Sequence, residues 1–128
     1  MAQNKSHAVI AQRHEAASSL DDFPTPPWAT RAFVESILGG KSNLSNLTCL
    51  EPACNRGYMS RPLAEYFKNV QSSDIFDYGF AETKDFLAGE YPQQSFDWVI
   101  TNPPFKHAEA FVGEGLRVAR VGVAMLVR

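Results

Sequence analysis

The sequence is short of cysteine, of net charge and of long apolar runs, and each shortage excludes something. Only Cys49 and Cys54 occur, which is too few for a disulfide framework. Separated by four residues and with no second ligand pair, they do not make a zinc site, and no other metal cluster is legible. Cys49 reads as a buried thiol in a strand, and the thin cysteine usage points to a reducing cytoplasm. No apolar run is long enough to cross a bilayer, so no membrane partner is expected. The N-terminal "SHAVIAQRHE" has too short an apolar run, followed by charge, to be a signal peptide. Twelve Lys and Arg stand against fourteen Asp and Glu, a net charge of −2. There is thus no bulk basic field of the kind that marks many nucleic-acid binders, and any such contact would need a local groove. A complete G-x-G-x-x-G is also missing.

What remains is a chain of 128 residues, enough for one modest domain with a real core. Residues 1–22 are polar and rich in Ala and Ser and read as a flexible lead-in, with His7 and His14 as solvated surface. The domain proper is expected over 23–128. Thr25-Pro26-Pro27 opens a helix, with Thr25 as the N-cap, and Gly39-Gly40 closes it. "KSNLSN" is expected to be a polar loop. A strand over 47–50 ends in Glu51, and a helix begins near Ser60. A strand over 70–74 ends in Asp74, and "KDFLAG" is a turn. Phe96–Thr101 is a third strand and Ala108–Val118 a helix weakened by Gly113 and Gly115. "VGVAMLV", 121–127, reads as a strand buried on both faces. This alternation predicts a doubly wound α/β fold with a mostly parallel sheet.

Three polar residues, Glu51, Asp74 and Asn102, fall at the ends of three such strands, where ligands bind in this architecture. "EPACNRG", 51–57, lies between a strand and a helix, and Gly57 would let backbone approach a ligand closely. Asp74 follows Glu51 by 23 residues, a spacing that suits a carboxylate accepting two hydrogen bonds from a ribose diol. "NPPF", 102–105, suggests a reaction. An exocyclic amino group on a conjugated ring is a poor nucleophile because its lone pair is delocalised. Two acceptors aimed at its hydrogens would localise that pair. Asn102 offers a side-chain carbonyl, Pro103 a backbone carbonyl made rigid by its fixed φ, and Phe105 a stacking face. Without a function, the same residues are a strand ended by Pro103 and Pro104, with Phe105 in the core.

Together, "PTPP", "EPACNRG", "SSDI", "KDF" and "NPPF" resemble the S-adenosylmethionine-dependent amino-methyltransferases. Their order is most similar to the adenine-N6 DNA methyltransferases, over about residues 23–127. The resemblance implies a Rossmann-like doubly wound methyltransferase sheet, with S-adenosyl-L-methionine as cofactor and DNA as partner. It places Thr25 and Pro26 against the methionine part of the cofactor, and Glu51, Pro52 and Gly57 around its amino-acid moiety. Asp74 would hold the ribose and Ile75 would pack on the adenine ring. Asp85 would accept from the adenine amino group and Phe86 would line that pocket. Asn102, Pro103, Pro104 and Phe105 would form the catalytic tetrad that grips the target. A base within a duplex would first be flipped out.

Asn55 stands where the family more often has glycine, and it tolerates left-handed backbone angles. The resemblance also implies a sheet truncated after its fifth strand, completed by a missing C-terminal segment or a partner. Two alternatives stay open beside DNA methylation: a protein glutamine N-methyltransferase, and an inactive remnant that at most binds cofactor. His107 reads as a surface residue at a helix start, with Lys106 and Arg56 as phosphate contacts.

Overall fold

A computed structural model describes residues 24–126. The expected lead-in over 1–22, with His7 and His14, lies outside them, as do Val127 and Arg128. Proline sets the first helix. Pro26 is the N-cap residue and Pro27 the first helical position of α1 (Pro27–Ser36). Thr25 therefore lies one residue outside the cap position, and its hydroxyl is used elsewhere. Gly39 and Gly40 both take positive φ, and the Gly40 N–H returns to the Val34 carbonyl at 3.0 Å, which closes the helix end. The segment read as a polar loop contains one helical turn, α2 (Lys41–Leu44). Its single apolar side chain, Leu44, is buried, and that contact fixes the turn against the core.

The strands follow as β1 (Thr48–Glu51), β2 (Asn69–Asp74), β3 (Glu82–Thr83), β4 (Phe96–Thr101) and β5 (Ala119–Met125). Between them lie α3 (Ser60–Leu63), a 3-10 turn at Phe86–Ala88, a second 3-10 turn at Phe105–His107, and α4 (Ala108–Val118). All four strand pairings are parallel, in the order β3-β2-β1-β4-β5. The order reverses at β1, so a crevice opens beyond the carboxyl ends of β1 and β4.

Strand alternation divides the core into two layers. Cys49 and Ile100 face one side, packed with Val34, Met59, Leu63 and Phe67 from the segments around α1 and α3. Leu50 and Val99 face the other, packed with Phe86, Tyr91, Phe111 and Val118. A register irregularity between Phe96 and Trp98 places those two rings on opposite faces although they are two residues apart. Asp97, beside it, ties the near ends of three strands. It accepts from the Thr48 N–H at 2.9 Å and from Arg120 Nε at 2.9 Å.

The last strand corrects an expectation. β5 begins at Ala119 and is not buried on both faces: Val121 is 58% exposed. Within the described sheet β5 is an edge strand hydrogen-bonded to β4 alone, so its apolar run is only half covered. Gly113 and Gly115 do not interrupt α4. Gly115 is buried against Val123 of β5, where a Cβ would come within 3.2 Å of that side chain.

Candidate active site

Glu51 ends β1 with its carboxyl inside the protein, 2% exposed. The Ser60 hydroxyl donates to Oε1, and the Thr101 hydroxyl donates to Oε2 at 3.1 Å. Ser60 also shares a 2.7 Å hydrogen bond with Ser72 of β2. One carboxyl thus joins the ends of β1, β2 and β4 to the start of α3. Burial pushes its pKa up to about 8 against the pull of the Ser60 and Thr101 hydrogen bonds, and the nearby Asp74 charge adds to the rise.

Asp74 ends β2 and is equally enclosed, at 2% exposure. Its Oδ2 accepts from the Asn55 N–H at 2.9 Å and its Oδ1 from the Phe76 N–H at 3.0 Å. The first bond holds Asn55 at φ +51, the left-handed turn that its position requires. The Cys54 N–H donates to the Ser73 carbonyl at 2.9 Å and completes the pinning of the loop to β2. Gly57 is buried at φ +89, and its side-chain position faces the ring of Phe80: a Cβ would sit 2.6 Å from it. That face of the glycine is closed by Phe80, a contact that the sequence did not announce. Arg61 lies over the same ring at 4.6 Å.

A small cleft of about 210 Å³, counting the space open to solvent, lies beside this loop. Pro52, Asp74, Ile75, Asp85, Phe86 and Pro104 line it, together with Ala53 and Phe111. Asp85 is the N-cap of its 3-10 turn, accepting from the Leu87 N–H at 3.0 Å. Phe86 is buried in the core against Phe111, ring centroids 5.2 Å apart, and forms an apolar wall of the cleft.

Asn102 leaves the end of β4 half-buried, and its Nδ2 donates to the Thr25 hydroxyl at 3.3 Å. Pro103 and Pro104 are buried. Phe105 is 58% exposed, so the reading that put it in the core does not hold. The strand ending at Asn102 therefore carries an amide, two fixed prolines and a projecting ring, next to the cleft that Pro104 lines.

No family model and no curated protein matches the chain. Solved structures do. The 23S rRNA methyltransferase ErmE superposes with a TM-score of 0.62 at 20% identity, over 84% of this chain and 48% of that one. A protein assigned as a type II methyltransferase from Anaeromyxobacter dehalogenans gives 0.58 at 22%, over 80% and 47%. One assigned as an S-adenosyl-L-methionine-dependent methyltransferase from Methanococcus maripaludis gives 0.59 at 14%, over 92% and 61%. The fold is that of the S-adenosylmethionine-dependent methyltransferases. The chain spans 47% to 61% of the length of these three structures.

Within this methyltransferase fold the structure brings most of the expected site together. Pro52, Asp74, Ile75, Asp85, Phe86 and Pro104 share the cleft, and Glu51 lies buried at the end of the same strand edge. Thr25 is joined to Asn102 across 77 residues of sequence. Pro26 is exposed at the start of α1, and no described contact joins it to the cleft. Arg56 is exposed with its guanidinium 5.1 Å from the centre of the Tyr78 ring, and Lys106 is exposed in the turn after Phe105. His107 is half-buried as the N-cap of α4, without a side-chain capping bond. Sequence reasoning missed Ser60, Ser72 and Thr101, which enclose Glu51. Thr101 carried a weak signal, as a hydroxyl directly before Asn102 at the strand end. Cys49 is buried as expected, and burial pushes its thiol well up, so it is no nucleophile.

Proposed function

We propose that this chain is the cofactor-binding and catalytic part of an S-adenosylmethionine-dependent methyltransferase that acts on an exocyclic amino group, most simply adenine N6 in DNA. The observation that carries the reading is the adjacency of the cleft to the Asn102–Phe105 segment, through Pro104, which belongs to both.

The donor set suits a nucleoside with an amino-acid tail. Asp85 and Asp74 supply carboxylate acceptors for an adenine amino group and a ribose diol, while Ile75 and Phe86 supply apolar walls for a flat ring. By the resemblance, Glu51, Pro52 and Gly57 would border the methionine moiety, and Thr25 and Pro26 would approach it from the start of α1. When bound, the cofactor supplies an activated methyl group for direct displacement.

The chain's own contribution is positioning. The Asn102 side-chain carbonyl and the Pro103 backbone carbonyl would each accept from the target amino group and localise its lone pair. The second carbonyl is held because the Pro103 ring fixes its own φ and Pro104 restricts the ψ of the residue before it to the extended region. Phe105, exposed beside the cleft, would stack on the target base, which in duplex DNA must be flipped out. Rate is gained by orientation and by excluding water, and no strong base is needed.

Tritiated methyl transfer from S-adenosylmethionine to DNA tests this, with RNA and protein substrates in parallel. RNA is included because ErmE is named as an rRNA methyltransferase. Asn102→Ala should cost roughly 100-fold or more in turnover, as expected for loss of one preorganised polar group, with cofactor affinity retained. Binding of cofactor without transfer to any substrate would reduce the chain to a binding module. Transfer to glutamine side chains alone would move the substrate to protein.

A further inference from the structure

We infer that Thr25 is a positioning residue for Asn102: its hydroxyl holds the carboxamide with the carbonyl end directed at the target amino group. The inference rests on the amino-methyl-transfer reading above and gives Thr25 a task distinct from contact with the cofactor.

The main chain around Asn102 is already fixed. On one side, Thr101 accepts from the Leu126 N–H at 2.9 Å through its carbonyl and donates to Glu51 through its hydroxyl. On the other side stands Pro103, whose ring sets φ. What these constraints leave loose is the side chain. The terminal torsion of asparagine is broad and roughly two-fold, so the amide plane has no strong preference of its own. A carboxamide has one accepting end and one donating end. Turned the wrong way, Asn102 would offer N–H to an amino N–H, which repels and polarises nothing.

Thr25 supplies the missing restraint. It is 8% exposed, held in the segment that leads into α1, and its Oγ1 accepts from Asn102 Nδ2 at 3.3 Å. A hydroxyl can donate as well as accept, so what selects the orientation is the observed pairing: Nδ2 lies on Thr25 Oγ1, and the oxygen end is the one left for substrate. The two prolines after Thr25 stiffen the segment that carries it, since Pro26 caps α1 and Pro27 starts it. The hydroxyl therefore reaches Asn102 from a fixed mount.

The test compares Thr25→Val, which keeps the shape and removes the hydroxyl, with Thr25→Ser, which keeps the hydroxyl. Turnover should fall roughly 10- to 100-fold in Thr25→Val, the range expected when a reacting group is misplaced by a fraction of an ångström to an ångström. KM for the nucleic acid and calorimetric affinity for S-adenosylmethionine should change little, and Thr25→Ser should recover most of the turnover. A second readout needs no turnover. In nitrogen-15 spectra, the Asn102 carboxamide, identified by its loss in Asn102→Ala, should exchange its protons slowly in the parent and in Thr25→Ser, and quickly in Thr25→Val. An active parent whose Thr25→Val variant matches it in turnover and in exchange overturns the inference alone. A parent with a protected carboxamide but no methyl transfer overturns the underlying reading, and the positioning role falls with it. A Thr25→Val variant that loses cofactor affinity instead of turnover returns Thr25 to the cofactor site.

Discussion

Glu51, ringed by hydroxyls at 2% exposure, keeps its proton to a pH of about 8 because burial penalises its charged form. The sign of the consequence follows from linkage. Unfolded, the group titrates near its ordinary 4.5; folded, near 8. Between those values the folded protein holds the extra proton, so stability contributed by this group declines as pH rises from about 5 to 8. The slope approaches about 1.4 kcal/mol per pH unit for one fully linked group. Glu51→Gln keeps the shape and one acceptor, and it cannot ionise. Denaturant titrations of the two proteins from pH 5 to 8 should therefore converge at the acid end, apart from a constant offset, and separate toward the alkaline end, with the parent losing ground. Parallel curves would show that Glu51 ionises freely and that its hydroxyl enclosure does not hold the proton. Ser60 and Thr101 belong to the same network, so their substitution should move the same curve.

The loop from Pro52 to Met59 is held by contacts that distant segments provide. Gly57 is its tightest point, with positive φ and with Phe80 against its open face. Gly57→Ala should cost about 1–3 kcal/mol, combining backbone strain with overpacking against the ring. Gly79→Ala is the matched control: φ is +79 there and a Cβ would meet nothing within 4 Å, so only the strain remains. Adding Phe80→Ala to Gly57→Ala should recover the overpacking part, and a double-mutant cycle measures it. Equal losses at Gly57 and Gly79 would remove Phe80 from the account. These contacts also explain what could be read in advance. β4 and α4 matched their expected bounds because β4 is a dense apolar run stopped by Asn102 and two prolines, and α4 keeps Phe111, Gly115 and Val118 on one buried face. β3 has two exposed residues, Glu82 and Thr83, and exists only because β2 offers it a parallel edge. Asp74 could be singled out because it ends a predicted strand, whereas Asp85 was named only through the resemblance of "KDF". The Ser60–Glu51–Thr101 enclosure, Phe80 over Gly57 and Thr25 beside Asn102 were not, since each depends on three-dimensional register between segments with no shared pattern.

The cleft gathers residues from four separate places in the chain: Pro52 after β1, Ile75 after β2, Asp85 before its turn and Pro104 after β4. A ligand that fills it would bridge the carboxyl ends of three parallel strands, and unfolding would have to release it. That makes the cofactor proposal testable through stability, without any substrate. At 100 times its dissociation constant, S-adenosylmethionine should stabilise the fold by about 2.7 kcal/mol, which for a domain of this size raises Tm by on the order of 10 °C. Asp85→Asn should shrink the shift, since one acceptor in the cleft becomes a donor while the remaining carbonyl can still cap the turn at Leu87. Asn102→Ala should leave the shift nearly intact, because its proposed partner is the target amino group. The pair therefore separates binding from transfer: a shift sensitive to Asp85 and indifferent to Asn102, together with methyl transfer that fails in both, places cofactor and target on opposite sides of Pro104. A folded parent with no shift at saturating S-adenosylmethionine would show that this cleft, despite its fold and its donor set, does not hold the nucleoside.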